Sequence, residues 1–132
     1  MSKLIKGIHH IALKAQGENE FLKAVSFYQD VLGMPMIRSW KNDVMLGAML
    51  DTGNSIIEIF SNGTDRPEQG SIRHFALTTR DVDGCVKAVR EAGYEITMES
   101  VDKEIPTSPP FPIRIAFCIG PLGEEIEFFC ER

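Results

Sequence analysis

Ile8-His9-His10-Ile11-Ala12-Leu13 is written a second time as Ile72-Arg73-His74-Phe75-Ala76-Leu77. The second histidine follows the first at an offset of 64 residues, from 10 to 74. Ser55-Ile56-Ile57-Glu58-Ile59-Phe60 likewise returns as Glu124-Glu125-Ile126-Glu127-Phe128-Phe129, at an offset of 69, from 58 to 127. The two offsets differ by five residues, which loop insertions absorb. Self-similarity of this kind marks a supersecondary unit used twice. Each half opens on a strand carrying a histidine and closes on a strand carrying a glutamate.

The segments between these stretches match in character. Ile8 to Ala15 reads as a strand. Asn19 to Leu32 places Phe21, Leu22, Val25, Tyr28, Val31 and Leu32 at helical spacing, and Gly33 ends the run as a C-cap glycine should. Met36 to Trp40, Val44 to Asp51 and Ser55 to Phe60 read as three short strands. In the second half Ser71 to Thr79 is a strand, and Asp81 caps a helix that runs through Ala92 to Gly93. Tyr94 to Ser100, Ile113 to Cys118 and Glu124 to Cys130 are strands. The unit is β-α-β-β-β, present twice in a single domain over residues 1–132, with repeat one at about 7–61 and repeat two at about 71–131. Asn62 to Gly70, holding Gly63, Pro67 and Gly70, reads as the connection between repeats. Asp102 to Pro112 contains Pro106, Pro109, Pro110 and Pro112, which argues against helix or central strand and for a long surface excursion or lid.

Composition narrows the function classes. Hydrophobic residues make up 43% and charged residues 25%, as in a soluble globular protein with enough chain for one core. Mean hydropathy is -0.08, and no apolar run approaches the roughly 20 residues of a membrane helix. The opening M-S-K-L-I-K-G has no apolar signal region, so a cytoplasmic location is expected. The net charge of -5, with both signs scattered, speaks against nucleic acid and anionic membranes as partners. Cys85, Cys118 and Cys130 are odd in number and widely spaced, so they read as plain thiols rather than a disulfide framework or zinc site.

Strand alternation puts His10 on one face with Ala12 and Lys14, and His74 with Ala76 and Thr78. Ile11 with Leu13, and Phe75 with Leu77, take the core face. Only one of the adjacent His9 and His10 can share that first face, and the repeat selects His10 because His74 aligns with it. Glu58 lies between Ile57 and Ile59, and Glu127 between Ile126 and Phe128. A carboxylate inside an apolar strand must be paired, protonated or metal-bound. Two imidazoles and two carboxylates at matching positions of two repeats suit one divalent cation such as Zn, Ni, Co, Fe or Mn. The metal ligands expected are therefore His10, Glu58, His74 and Glu127.

These residues sit within motifs that resemble the vicinal oxygen chelate superfamily, and within it the single-module glyoxalase I (lactoylglutathione lyase) proteins. The motifs are H-H-I-A-L at His9 to Leu13, S-F-Y-Q-D-V-L-G-M at Ser26 to Met34, I-I-E-I-F at Ile56 to Phe60, R-H-F-A-L at Arg73 to Leu77 and G-P-L-G-E-E-I-E-F at Gly120 to Phe128. The resemblance implies an α+β fold whose βαβββ repeats form a curved mixed sheet around a metal-binding cleft, built within one chain or across a homodimer. It implies the same four ligands, a divalent ion (Ni, Co or Zn) and glutathione as co-substrate. The reaction it implies turns the hemithioacetal of a 2-oxoaldehyde into a 2-hydroxyacyl thioester through an enediolate. Glu127 would be ligand and general base, with Glu58 as its substitute. Relatives carry a basic residue four positions after the first ligand and an Asn four after the second. Lys14 and Asn62 hold those places, although Lys lacks the bidentate fork of Arg. Arg38, Arg66 and Arg114 are the cations available to an acidic substrate.

Two other functions fit the fold. An acyl-CoA epimerase of the methylmalonyl-CoA type usually has Gln where Glu58 stands. A metal-free binding or resistance module tends to lose the ligands and line its cleft with aromatics, which are only 8% here. Measuring bound metal separates that module from the enzymes.

Overall fold

Each pair of repeated stretches is built as two parallel strands hydrogen-bonded side by side. The computed structural model describes residues 4–66 and 68–132. Pro67, one of the residues expected in the connection, lies outside the described residues, as do the first three residues of the N-terminal segment. The chain divides after Asp65 into two units, each carrying one repeat.

The first unit runs β1 (His10–Lys14), α1 (Glu18–Ser26), β2 (Met36–Lys41), β3 (Leu46–Asp51) and β4 (Ile56–Phe60). Its four strands form one mixed sheet in the order β1-β4-β3-β2. The second runs β5 (Phe75–Thr78), α2 (Val82–Glu91), β6 (Ile96–Ile105), β7 (Phe111–Ile119) and β8 (Glu125–Glu131), in the order β5-β8-β7-β6. The expected β-α-β-β-β order is present in both, as two mixed sheets of four strands.

One face of each sheet is closed by its helix. Ile57, Ile59, Ala48 and Leu50 are buried on that face in unit one, and Ile126, Phe128, Ala116 and Cys118 in unit two. The isoleucine, leucine and phenylalanine side chains among these contribute roughly 1.5–3 kcal/mol each when fully buried. Burial also holds the Cys118 thiol protonated, its pKa pushed up to about 12.

The first helix departs from the simple helical reading. It passes into a π-helical turn over Phe27–Val31 before Gly33 ends it at φ 76. Phe27 and Tyr28 are both buried in this turn, with their rings edge-to-face at 5.0 Å. The second helix follows the sequence closely: the Asp81 carboxylate accepts from Gly84 N at 2.9 Å, and Gly93 leaves at φ 89.

Strand ends differ from the sequence reading in ways the ladders explain. Ile8 and His9 fall outside β1 because the ladder to β4 starts at His10–Ile56, where the Ser55 hydroxyl donates to the carbonyls of both residues. Ser71 to His74 fall outside β5, whose ladder starts at Phe75–Ile126.

The expected excursion from Asp102 to Pro112 contracts to a short loop over 106–110 at the tip of a β6–β7 hairpin, with Glu104 paired to Pro112. Pro112 fits because it lies past the last β7–β8 rung, Ile113–Glu131, so its missing N–H breaks no ladder bond. Its carbonyl still accepts from Arg132 N at 3.0 Å.

Candidate functional site

Parallel register brings histidine and glutamate together within each unit. Ala12 pairs with Glu58, and His10 lies two residues before Ala12 on the same open face. Ala76 pairs with Glu127, and His74 lies two residues before Ala76. His10 Nε2 is 3.4 Å from Glu58 Oε1, and His74 Nε2 is 3.1 Å from Glu127 Oε1. The His74–Glu127 contact has hydrogen-bond geometry, whereas His10 and Glu58 are close neighbours at 3.4 Å.

The two halves share an electrostatic design. Glu58 and Glu127 are each only 8% exposed, whereas the side chains of His10 and His74 are 40% and 36% exposed. A carboxylate this deep retains lone pairs that one imidazole cannot satisfy. Nitrogen and oxygen donors of this kind suit a borderline divalent ion, so the donor set fits such a group. Among the described residues, no three His, Cys, Asp or Glu side chains form a group able to hold a metal by themselves. The structure thus gives two matching half-sites, His10 with Glu58 and His74 with Glu127.

The remaining expected residues fall in three places. Lys14 ends β1 on the face of His10, and Asn62 lies beside it through a backbone bridge to Gln16. Gly63 N donates to Ala15 O at 2.9 Å, and a side chain at Gly63 would press on Ala15 O and Lys14 Cβ. Asn62 Oδ1 is buried without a hydrogen-bond partner. Arg38 lies on the rung Arg38–Met49–Glu58 and so belongs to the half-site face. Arg114 does not. It is on the helix-covered face, donating to Asp83 at 2.8 Å and Asp102 at 3.0 Å, so an acidic substrate cannot claim it.

Several neighbours of the half-sites were not singled out from the sequence. In unit one Trp40 lies across Gly47, where any Cβ would collide with the indole, and meets Phe60 edge-to-face at 5.9 Å. In unit two the ring of His74 meets Phe117 edge-to-face at 5.2 Å. His9 Nδ1 sits 2.9 Å from His10 Nδ1, and Glu125 Oε1 sits 4.0 Å from His74 Nδ1. Alternation alone would have put Glu125 on the face of Glu127; the signal was present in Glu-Glu-Ile-Glu.

A duplicated βαβββ unit, with a histidine–glutamate pair at the same register of each copy, defines a class of protein. Residues 7–107 match the Glyoxalase/Bleomycin resistance protein/Dioxygenase superfamily, and the chain belongs to it. It is 30% identical to the uncharacterized protein YwkD of Bacillus subtilis, covering 96% of this chain and 98% of that one. It is 33% identical to lactoylglutathione lyase of Haemophilus influenzae, covering 80% of this chain and 81% of the relative. In fold it is similar to the fosfomycin resistance protein FosX of Listeria monocytogenes, complexed with Mn(II) and sulfate. That similarity has a TM-score of 0.71 at 17% identity and covers 96% of this chain and 93% of the other.

Proposed function

We propose that the chain is a metal-dependent isomerase of the glyoxalase I type, converting the hemithioacetal of a 2-oxoaldehyde and a thiol into a 2-hydroxyacyl thioester. The observation that carries this reading is the recurrence of one buried carboxylate beside one half-exposed imidazole at equivalent positions of two repeats. His10, Glu58, His74 and Glu127 together would hold one divalent ion, Ni, Co or Zn, within one chain or across a homodimer. When bound, such an ion supplies a Lewis acid for the negative charge that develops on the two adjacent substrate oxygens. The chain's own part is proton transfer. Glu127 takes the proton from one carbon and returns it to the next, with Glu58 as the alternative base. The resemblance to the Haemophilus lyase supports glutathione as the thiol, with Lys14 and Asn62 as its contacts.

A cytoplasmic location accords with a thiol co-substrate and with three free cysteines. No helix among the described residues is long and apolar enough to cross a membrane.

Metal analysis of the purified protein, then a methylglyoxal–glutathione assay with Ni, Co and Zn added back to stripped protein, tests the proposal. Stoichiometric metal and metal-restored turnover are expected. A protein that takes up no metal would instead be a binding module, and metal binding without turnover would call for another substrate, with acyl-CoA epimers the first to try.

A further inference from the structure

The two half-sites differ in what stands behind the histidine. In unit one, Ile56 pairs directly with His10. In unit two, Glu125 occupies the matching position, since 56 and 125 keep the 69-residue offset of the two glutamates. The β5–β8 ladder begins at Phe75–Ile126, so Glu125 falls one residue before it, as His74 does. This register places Glu125 Oε1 4.0 Å from His74 Nδ1 while Glu127 Oε1 stands 3.1 Å from Nε2. One imidazole lies between two carboxylates. His10 instead has the ring of His9 beside its Nδ1, at 2.9 Å.

The tautomer gives this difference a consequence. An Nε2–H that donates to Glu127 cannot also bind a cation through Nε2. For Nε2 to offer its lone pair, the ring proton must sit on Nδ1. In unit two the Glu125 carboxylate stands 4.0 Å from Nδ1, beyond hydrogen-bond length in this structure but close enough to accept the proton after a side-chain rotation. In unit one the group beside Nδ1 is a second imidazole, which carries no formal negative charge. Hydrogen bonds to an ionised acceptor are roughly twice as strong as neutral ones, and carboxylates behind ligating histidines fix tautomer and ring orientation.

We infer that Glu125 is a positioning residue for His74, selecting the Nδ1–H tautomer that frees Nε2 for the metal. This rests on the metal reading proposed above. Glu125 need not touch the ion or the substrate.

Competition titration against a chromophoric chelator, with Co and Ni, tests this on the full-length protein. Glu125→Ala is expected to weaken metal binding by about 10–100-fold, and Glu125→Gln, which keeps a carbonyl acceptor, to recover part of the loss. The Glu125 side chain is 37% exposed, so thermal unfolding of the metal-free variants should match the parent. Nitrogen NMR of the zinc-loaded proteins should show His74 protonated at Nδ1 in the parent and a weakened Nδ1–H hydrogen bond in Glu125→Ala. Glu131→Gln, which removes the same charge farther along β8, is the control. Affinity in Glu125→Ala equal to the parent, or an equal loss in Glu131→Gln, would overturn the assignment while leaving the metal reading intact. A parent protein that binds no metal would end both.

Discussion

The two repeats answer the same structural demand with different side chains. On the half-site face, unit one uses Gly47 and Trp40 on the rung that reaches Phe60, while unit two uses Ile115 and Val101 on the rung that reaches Phe129. On the helix-covered face, Leu46 of unit one stands where Arg114 stands in unit two. The histidine, the alanine two residues on and the glutamate beside that alanine are kept in both, as are a few packing residues such as Ile57 with Ile126 and Ala48 with Ala116. Packing residues can be exchanged as long as volume and pattern hold. A donor pair cannot drift, because a shift of one residue would turn it to the opposite face.

The largest effect should come from separating the two glutamates. Glu127→Gln is expected to lower turnover by about 10²–10⁴-fold, the range for losing a general base, while much of the metal stays bound. Glu58→Gln should act mainly on metal affinity. Steady-state kinetics beside metal content decides it, and the reverse pattern would move the base to unit one.

The next comparison concerns the two apolar walls. Gly47→Val would drive the indole of Trp40 off the strand and away from Phe60. A cost of about 1–3 kcal/mol is expected for such overpacking. Trp40 is the chain's one tryptophan, so its fluorescence should shift with the substitution. Ile115→Val in unit two should cost about 0.5–1.5 kcal/mol and leave the fluorescence unmoved. An unshifted spectrum in Gly47→Val would break the contrast between the walls.

The repeats themselves were legible because they rest on short-range alternation. His10 and His74 fell on the small-residue face by counting in twos, and Glu58 and Glu127 stood out as charges inside apolar strands. The N-cap Asp81 and the C-cap glycines Gly33 and Gly93 were read from local chemistry. What escaped depends on partners distant in sequence. The π-helical turn over Phe27–Val31 leaves no mark in the apolar spacing, which reads as ordinary helix. Arg114 was read as a free cation, since nothing local reveals Asp83 on a helix and Asp102 on the neighbouring strand. Pro112 argued against a central strand, but the point where β8 stops pairing decides whether proline fits. The Trp40–Gly47 contact needs the β2–β3 register before it can be seen.

The smallest expected effect lies in unit two alone. The Arg114 guanidinium beside Asp83, and those of Arg132 and Arg114 beside Asp102, hold both carboxyls below the ordinary value of 3.8. Groups with depressed folded values stabilise above that ordinary value, and the stabilisation is lost as pH falls through the folded ones. Arg114→Met should therefore flatten the acid limb of stability below about pH 4 and change little at neutral pH. Exposed pairs of this kind contribute modestly, and the effect should shrink with added salt. Urea midpoints recorded from pH 2 to pH 7 would show it.

The parallel pairing of first strand with last has a bearing on biogenesis. His74 and Glu127 are 53 residues apart along the chain, and nearly a whole unit must be in place before they meet. Closing so long a loop slows folding relative to local contacts. A half-made or nicked unit would present an imidazole without its carboxylate. Each pair of donors therefore reports that its own unit has been completed, and a damaged copy loses its chemistry along with its architecture.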